Sequence, residues 1–167
     1  ENTTHVEKPS FENWDKSQEY ELDFWENHWT HRALPREKIA NQIRLEDARW
    51  FLRSFNFKEE NENTFTAFKG DVLEVGCGPV GFFENINGVK VTAIDTLMNA
   101  YAQKLPYSVL GRVNNYCYQS CLVKDVKGKF DYVVCSNVLD HTGNWEAFLD
   151  ELLGKVKNNT GSLLLYT

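Results

Sequence analysis

The sequence predicts an α/β fold in which a doubly wound, mostly parallel sheet follows an N-terminal helical cap. From residue 70 onward, short apolar segments alternate with segments of helical periodicity, the pattern of a parallel sheet covered by helices on both faces. The preceding residues instead carry apolar side chains at helical spacing. One apolar segment, residues 71–75, runs directly into a glycine-rich turn, which indicates a ligand site at the end of that strand.

The composition is that of a globular domain with a core of its own. The chain has 167 residues, of which 42% are hydrophobic and 25% are charged. Its formal net charge of −6 disfavours nonspecific binding of nucleic-acid phosphates. No apolar run approaches the ~20 residues that cross a bilayer, and the sequence shows no secretory signal. We therefore expect a cytoplasmic protein whose partners include neither nucleic acid nor membrane.

The cysteines also favour a reducing compartment. Their positions are Cys77, Cys117, Cys121 and Cys135, and no two of them form a C-x-x-C pair. This spacing supplies too few neighbouring ligands for a metal site, so no metal is expected. Free thiols of a cytoplasmic protein are the simplest interpretation.

Residues 1–69 are predicted to form a helical cap and a polar connector. Apolar periodicity predicts one helix within residues 13–31 and a second from Pro35 to about Phe55. A proline favours the first position of a helix because its φ angle is already helical. The first helix is rich in tryptophan. It could cover a ligand site and form an acceptor pocket, or it could simply pack on the sheet.

Residues 70–167 carry the alternating pattern of the sheet. The predicted strands are 71–75, 90–94, 116–119, 130–136 and 162–166. The predicted helices between them are 80–87, 97–105 and 144–156. Because parallel strands need right-handed crossover connections, this order of elements leaves few possible topologies.

The glycine-rich turn matches G-x-G-x-x-G at Gly76, Gly78 and Gly81, a pattern shared by several kinds of nucleoside site. Glu74, two residues before the first glycine, makes the pattern more specific. A carboxylate at this point would repel the pyrophosphate of a dinucleotide, which binds where the strand meets the next helix. The residues therefore favour a ligand that carries a cationic amine and no phosphate.

A second carboxylate, Asp95, ends the second predicted strand 19 residues after Gly76. A carboxylate at this point can accept hydrogen bonds from both ribose hydroxyls of an adenosine. This role fits a nicotinamide dinucleotide and other adenosine cofactors equally well. Asp95 is also a favourable helix N-cap, and that alternative stays open at this point.

Residues 71–81, Asp-Val-Leu-Glu-Val-Gly-Cys-Gly-Pro-Val-Gly, resemble motif I of the class I S-adenosylmethionine (SAM) methyltransferases. Residues 136–141, Ser-Asn-Val-Leu-Asp-His, resemble the "VLEH" stretch of members that act on small molecules. The resemblance covers residues 70–167 and implies a Rossmann-like sheet of strand order 3-2-1-4-5. It also implies SAM as cofactor, S-adenosylhomocysteine (SAH) as product, and a small-molecule methyl acceptor. The tryptophan-rich composition of the first helix, which is similar to that of some family members, further suggests glycan or natural-product metabolism.

The resemblance assigns roles to individual residues. The implied cofactor-binding residues are Glu74, Gly76, Cys77, Gly78, Asp95, Thr96, Leu97, Gln119, Ser120 and Asn137. The implied catalytic residues are His141, as a general base, and Asp140, which would orient it. These two side chains could instead hold the following loop by hydrogen bonds. An acidic residue that often contacts adenine in the family is missing here, and Gln119 and Ser120 stand near its place.

The chain stops at Thr167, directly after the fifth predicted strand, where the resembling fold normally continues with a helix and an antiparallel strand pair. A shortened piece, a naturally short form, or pairing with another chain would each account for this. An uncovered edge strand could mediate a homodimer. Two other functions also stay open: a noncatalytic SAM-binding or assembly module, and an NAD-dependent oxidoreductase. The sequence does not identify the acceptor or the atom that is methylated.

Overall fold

The computed structural model describes residues 14–167, without the side chains of Trp14 and Asp140. The expectation of a loose polar N-terminus, residues 1–12, lies outside the described residues. The N-terminal part is helical. Its elements are α1 (Trp14–Thr30), α2 (Arg36–Lys38), a π-helical segment (Ile39–Arg44) and α3 (Leu45–Ser54).

Both predicted N-terminal helices are confirmed. The second differs from the prediction at its first residue and in the helix type of its middle turn. Pro35 is the N-cap of α2 and not its first helical residue, with φ −69° and ψ 151°. The second predicted helix is continuous from Arg36 to Ser54, but its middle turn is a π-helix. Such turns are rare and often mark functional positions. This one ends at Arg44, a buried residue.

The strands form a small hairpin and one six-stranded sheet. The strands are β1 (Glu59–Asn61), β2 (Thr64–Phe65), β3 (Gly70–Val75), β4 (Val89–Ile94), β5 (Gly111–Val113), β6 (Tyr116–Gln119), β7 (Tyr132–Ser136) and β8 (Ser162–Tyr166). The large sheet has the order β5-β6-β4-β3-β7-β8. All its pairs are parallel except β5 with β6. The predicted order 3-2-1-4-5 corresponds to β6-β4-β3-β7-β8 and is confirmed.

Two predicted helices are confirmed and one is wrong. Helices α4 (Met98–Lys104) and α5 (Trp145–Leu153) lie within the predicted segments. Residues 80–87 form successive turns where a helix was predicted. The N–H of Ile86 donates to the carbonyl of Phe83 at 3.1 Å, and that of Asn87 to Asn63 at 2.7 Å. A segment rich in β-branched, aromatic, Asn and Gly residues has low helix propensity, and these turn contacts satisfy its backbone instead.

The sheet is covered by helices on both faces, as the doubly wound prediction requires. Successive side chains of a strand point to opposite faces, so each strand contributes to two cores. The core under α1–α3 includes Leu22, Trp29, Ile39, Phe51, Leu52, Val72, Val91, Tyr116, Tyr118 and Val134. The core under α5 includes Leu73, Val75, Ile94, Val133, Cys135 and Leu152. The ligand-facing edge lies between these layers, at the carboxyl ends of the strands.

Two further observations concern the cysteines and the character of the helices. None of the four cysteines, all of which lie within the described residues, forms a disulfide; Cys77 and Cys135 are buried, and Cys117 and Cys121 are half-buried. Within residues 14–167, no helix has both the length and the apolar character needed to span a bilayer.

Candidate cofactor site

The glycine turn after β3 is shaped by backbone that a side chain would not tolerate. Gly76 and Gly78 have φ angles of +70° and +63°, in the left-handed region that favours glycine. A Cβ on Gly76 would also overlap the Cγ2 methyl of Val138. Val138 follows β7, so this close approach joins the glycine turn to the second sequence motif, residues 136–141. The two motifs therefore meet at one point of the sheet edge.

Asp95 fixes the turn to the start of α4. Its Oδ2 accepts from the N–H of Gly78 at 3.0 Å, and its Oδ1 accepts from the N–H of Leu97 at 2.9 Å. The second contact closes a local turn; the N-cap of α4 is Leu97 itself, which has no side-chain cap. Desolvation raises the pKa of the Asp95 carboxyl to about 6, against the lowering effect of these two donors. Asp95, the residue predicted to bind the ribose, thus also holds the glycine turn in place.

Three side-chain oxygens occupy the backbone donors that follow the turn. The N–H of Gly81 donates to the Tyr118 hydroxyl at 2.9 Å. The N–H of Phe82 donates to Glu74 Oε1 at 2.9 Å, and the N–H of Phe83 to the Tyr116 hydroxyl at 3.3 Å. In dinucleotide sites, the free N–H groups at this position bind the pyrophosphate. Here these three N–H groups are already bonded to side chains, so they are not available to a phosphate.

Glu74 lies beneath the turn and is buried, with 4% of its surface exposed. Desolvation raises its pKa to about 8, although the Phe82 N–H and Arg44 act in the opposite direction. Its Oε2 has no hydrogen-bond partner among the residues that the structure describes. Burial thus disfavours the ionised form of this carboxyl. A nearby cation or hydrogen-bond donor would favour its ionised form.

Arg44 is a site residue that the sequence prediction missed. Its Nε donates to the carbonyl of Val80 at 2.8 Å, and its Nη1 pairs with Asp47 at 3.2 Å. The guanidinium faces the rings of Phe82, Trp29 and Trp25, at 4.6, 5.1 and 5.5 Å from their centroids. Its Nη2 lies 3.6 Å from the position of a Cβ on Gly78. A buried cation therefore lies beside the glycine turn.

Helix α1 lies over the same edge. Trp25 Cζ2 is 3.3 Å from the position of a Cβ on Gly78, so the indole rests against the turn. Thr96 Oγ1 donates to Gln18 Oε1 at 2.8 Å, and the Tyr107 hydroxyl donates to the carbonyl of Trp25. Helix α1 also packs on the sheet through Leu22 and Trp29, so it both contacts the glycine turn and contributes to the core. A ligand that reaches Gly78 must share space with the Trp25 indole.

The residues predicted on the adenine side lie next to Asp95. The N–H of Asp95 donates to the carbonyl of Gln119 at 3.2 Å, and Ser120 Oγ donates to the carbonyl of Thr96 at 3.2 Å. The Gln119 amide also lies 3.7 Å from Cys117 Sγ and 3.9 Å from Cys121 Sγ. The end of β6 is thus joined to the end of β4 by backbone and side-chain contacts.

The residues predicted at the reacting side follow β7. Asn137 has φ +53°, and its N–H donates to the carbonyl of Tyr166 at 2.9 Å. His141 closes a single 3-10 turn with an exposed ring, and its N–H donates to the carbonyl of Val138 at 3.0 Å. The side chain of Asp140 lies outside the described part. Asn144 caps α5 by accepting from the N–H of Ala147 at 3.1 Å.

A parallel sheet of this order, with a glycine turn after β3 and a carboxylate after β4, has the architecture of the class I SAM-dependent methyltransferases. The family described as a methyltransferase domain matches residues 28–167, and the chain belongs to that family.

Curated relatives carry a more specific name. The chain is 26% identical over 157 residues to a mitochondrial ubiquinone biosynthesis O-methyltransferase of Saccharomyces cerevisiae, covering 77% of this chain and 49% of the relative. A mitochondrial protein of the same name from Schizosaccharomyces pombe is 33% identical over 118 residues, with coverages of 66% and 41%. The chain therefore spans about half of the length of these relatives, or less.

Solved structures share the fold at lower identity. A complex described as DhpI-SAM-HEP superposes with a TM-score of 0.56 and 17% identity, covering 93% of this chain and 65% of that one. The magnesium protoporphyrin IX methyltransferase of Synechocystis PCC 6803 with bound SAH gives a TM-score of 0.53 and 18% identity, with coverages of 86% and 68%. These likenesses support the predicted fold over nearly the whole described chain.

Proposed function

We propose that the chain is the cofactor-binding part of a SAM-dependent methyltransferase that acts on a small-molecule acceptor. The observation that carries the proposal is the turn at Gly76–Gly78, which is followed by three N–H groups bonded to Tyr118, Glu74 and Tyr116. A Cβ on Gly76 would overlap Val138, and both glycines have positive φ angles. This arrangement favours an adenosine cofactor without phosphates. It therefore speaks against the alternative of an NAD-dependent oxidoreductase.

The residues at the sheet edge fit SAM in chemical character. The buried Arg44 guanidinium suits the carboxylate of the methionine part, and the unpartnered Oε2 of Glu74 suits a cationic amine. Asp95 oxygens retain lone pairs for the ribose hydroxyls. We place Thr96, Leu97, Gln119 and Ser120 on the adenine side; Leu97 and Ser120 are half-buried, and Thr96 and Gln119 are exposed. When bound, SAM supplies an electrophilic methyl group on a sulfonium.

The chain's own contribution to catalysis is to hold the acceptor and remove its proton. Asn137 and His141 lie on the loop that meets the glycine turn through Val138. We assign His141 Nδ1 or Nε2 the role of general base toward an acceptor hydroxyl, with Asp140 as its orienting partner. The aromatic cover formed by Trp25 and Trp29 excludes water from the methionine side.

The names of the relatives support one class of acceptor. Several are named ubiquinone biosynthesis O-methyltransferases, which supports a hydroxyl acceptor more than the glycan or natural-product origin suggested by composition. Free thiols support a reducing compartment such as the cytoplasm. The edge strand β8 supports a homodimer as one possible assembly. A noncatalytic SAM-binding module is the second candidate, favoured by the lack of a carboxylate at the adenine side.

Calorimetric titration with SAH tests the proposal directly. We expect binding to the unmodified chain, no binding of NADH, and a loss of about tenfold or more in SAH affinity for Asp95→Ala. Asp125→Ala, an exposed aspartate beyond the site, is the matched control and should bind as the unmodified chain does. Binding of NADH in preference to SAH would reject the proposal. SAH binding without methyl transfer to any hydroxyl acceptor would favour the noncatalytic module.

A further inference from the structure

The Tyr118 hydroxyl is the centre of a network that joins three elements. It accepts from the N–H of Gly81 at 2.9 Å and donates to Glu84 Oε1 at 2.9 Å. Arg36 Nη2 lies 3.3 Å from the same hydroxyl and forms an ion pair with Glu84. The side chains of Arg36 and Glu84 are only 16% and 6% exposed. The helical cap, the segment after the glycine turn and the sheet therefore share one polar cluster.

The adjacent tyrosine on the same strand face reinforces this cluster. Tyr116 and Tyr118 lie with ring centroids 5.0 Å apart, and the Tyr116 hydroxyl accepts from the N–H of Phe83. A Cβ on Gly81 would overlap the Tyr116 hydroxyl, so the glycine permits the close approach. Burial holds the pKa of Tyr118 well above its ordinary value, so its hydroxyl remains a donor to Glu84.

The hydroxyls of Tyr116 and Tyr118 hold residues 80–87 in the place of helical hydrogen bonds. Residues 80–87 form turns, so regular helical hydrogen bonds do not fix this segment. The N–H groups of Gly81, Phe82 and Phe83 donate to side chains that belong to the sheet. Because buried N–H groups need partners, the geometry of the segment depends on those side chains. Tyr118 also immediately precedes Gln119 and Ser120, on the adenine side of the site.

We propose that Tyr118 is a positioning residue for the cofactor: its hydroxyl, oriented by the Arg36–Glu84 pair, fixes the glycine turn relative to the end of β6. This inference rests on the proposed function, because it concerns the same site. It goes further because it names the hydroxyl that connects the glycine turn to the end of β6. The hydroxyl acts through Gly81 and touches no reacting atom.

The test compares SAH affinity in Tyr118→Phe with two controls, at a temperature where every variant is folded. Removing the hydroxyl leaves the Gly81 N–H without its partner, and we expect SAH to bind about tenfold more weakly. Tyr101→Phe is the matched chemical control, since the buried Tyr101 hydroxyl has no hydrogen-bond partner among the described residues. Asn144→Ala is the matched stability control, since it removes the cap of α5.

Each result bears on a separate point. A tenfold loss confined to Tyr118→Phe, together with faster amide hydrogen exchange at Gly81, supports the positioning role. Equal affinity of Tyr118→Phe and the unmodified chain would overturn it while leaving the proposed function intact. A loss no larger than that of Asn144→Ala would also overturn it, because the hydroxyl would then serve stability alone. No binding of SAH to the unmodified chain would instead reject the proposed function.

Discussion

At the scale of single residues, two carboxyls at the site, the buried Glu74 and the half-buried Asp95, make stability depend on pH. The pKa of Glu74 is raised to about 8 and that of Asp95 to about 6, mainly by desolvation. The unfolded chain releases these protons near the ordinary pKa values, about 4.5 and 3.8. The folded chain therefore binds more protons over this interval. The contribution of these two groups to stability is therefore greatest below these lower values and is lost as pH rises toward 8.

Glu74→Gln should remove most of this pH dependence. The amide oxygen can still accept from the Phe82 N–H, but the group no longer needs to be ionised at high pH. We expect the free energy of unfolding of the unmodified chain to fall between pH 5 and pH 8 by a few kcal/mol more than that of the variant. Urea unfolding at both pH values measures this difference. Glu19→Gln, at an exposed position, should retain the full dependence; parallel curves for all three proteins would contradict the assignment.

The glycine turn offers a second prediction at this scale. Gly76 and Gly111 both have positive φ angles, +70° and +103°. A Cβ on Gly76 overlaps Val138, whereas a Cβ on Gly111 has no atom within 4 Å. Gly111→Ala should therefore cost only backbone strain, about 1 kcal/mol. Gly76→Ala should cost about 3 kcal/mol or more, because overlap is added to strain. Similar urea midpoints for the two variants would show that the overlap is relieved without cost.

The sequence reveals those site residues whose type and position are both unusual. Glu74 lies within an apolar strand and Asp95 directly follows one. Gly76 and Gly78 interrupt an otherwise regular pattern, so each of these residues stands out locally. Arg44 and Tyr118 do not. Arg44 lies in a polar-looking helical segment more than 30 residues before the turn. Tyr118 looks like an ordinary strand residue. Their roles depend on tertiary contacts, which local periodicity does not encode.

At the scale of elements, prediction succeeded where the burial pattern was long and regular. Strand β3 pairs with β4 and β7 on both sides, and its near-continuous apolar run is typical of a central parallel strand. Strands β1 and β5 have three residues each and β2 has two, too few for a period to emerge. The prediction of a helix for residues 80–87 was wrong. The apolar residues there have a spacing that suits a helix, but they contact the aromatic core through turns. The low helix propensity of these residues predicts the turns better than their apolar spacing does.

Helix α5 allows a prediction about a single element. Asn144 accepts from the N–H of Ala147 at an exposed helix start, so Asn144→Ala should destabilise the protein by about 1 kcal/mol. Asn144→Asp keeps an acceptor oxygen and adds a negative charge near the helix N-terminus, so it should restore stability. Urea unfolding of both variants provides the measurement. Equal loss in the alanine and aspartate variants would show that the cap bond contributes nothing.

At the scale of the whole molecule, the cap and the sheet share one hydrophobic core. Trp29, Phe51 and Leu52 from the helices pack in the same cluster as Val91 and Tyr116 from the strands. The buried Arg44 adds polar and cation–π contacts between the two parts. The division into a cap at 1–69 and a SAM-binding core at 70–167 stays a prediction about sequence organisation. The shared core indicates that the two parts depend on each other for stability.

The cap and the sheet should therefore unfold in one transition. Four of the five tryptophans, at positions 14, 25, 29 and 50, belong to the N-terminal part, and the fifth is the half-exposed Trp145. In Trp145→Phe, tryptophan fluorescence reports only the N-terminal part, whereas far-ultraviolet circular dichroism also reports the sheet and α5. We expect the two urea midpoints to coincide, because loss of the helices exposes the core of the sheet. A fluorescence transition at clearly lower urea would mean that the cap opens first, and that α1 can leave the cofactor site while the sheet stays folded.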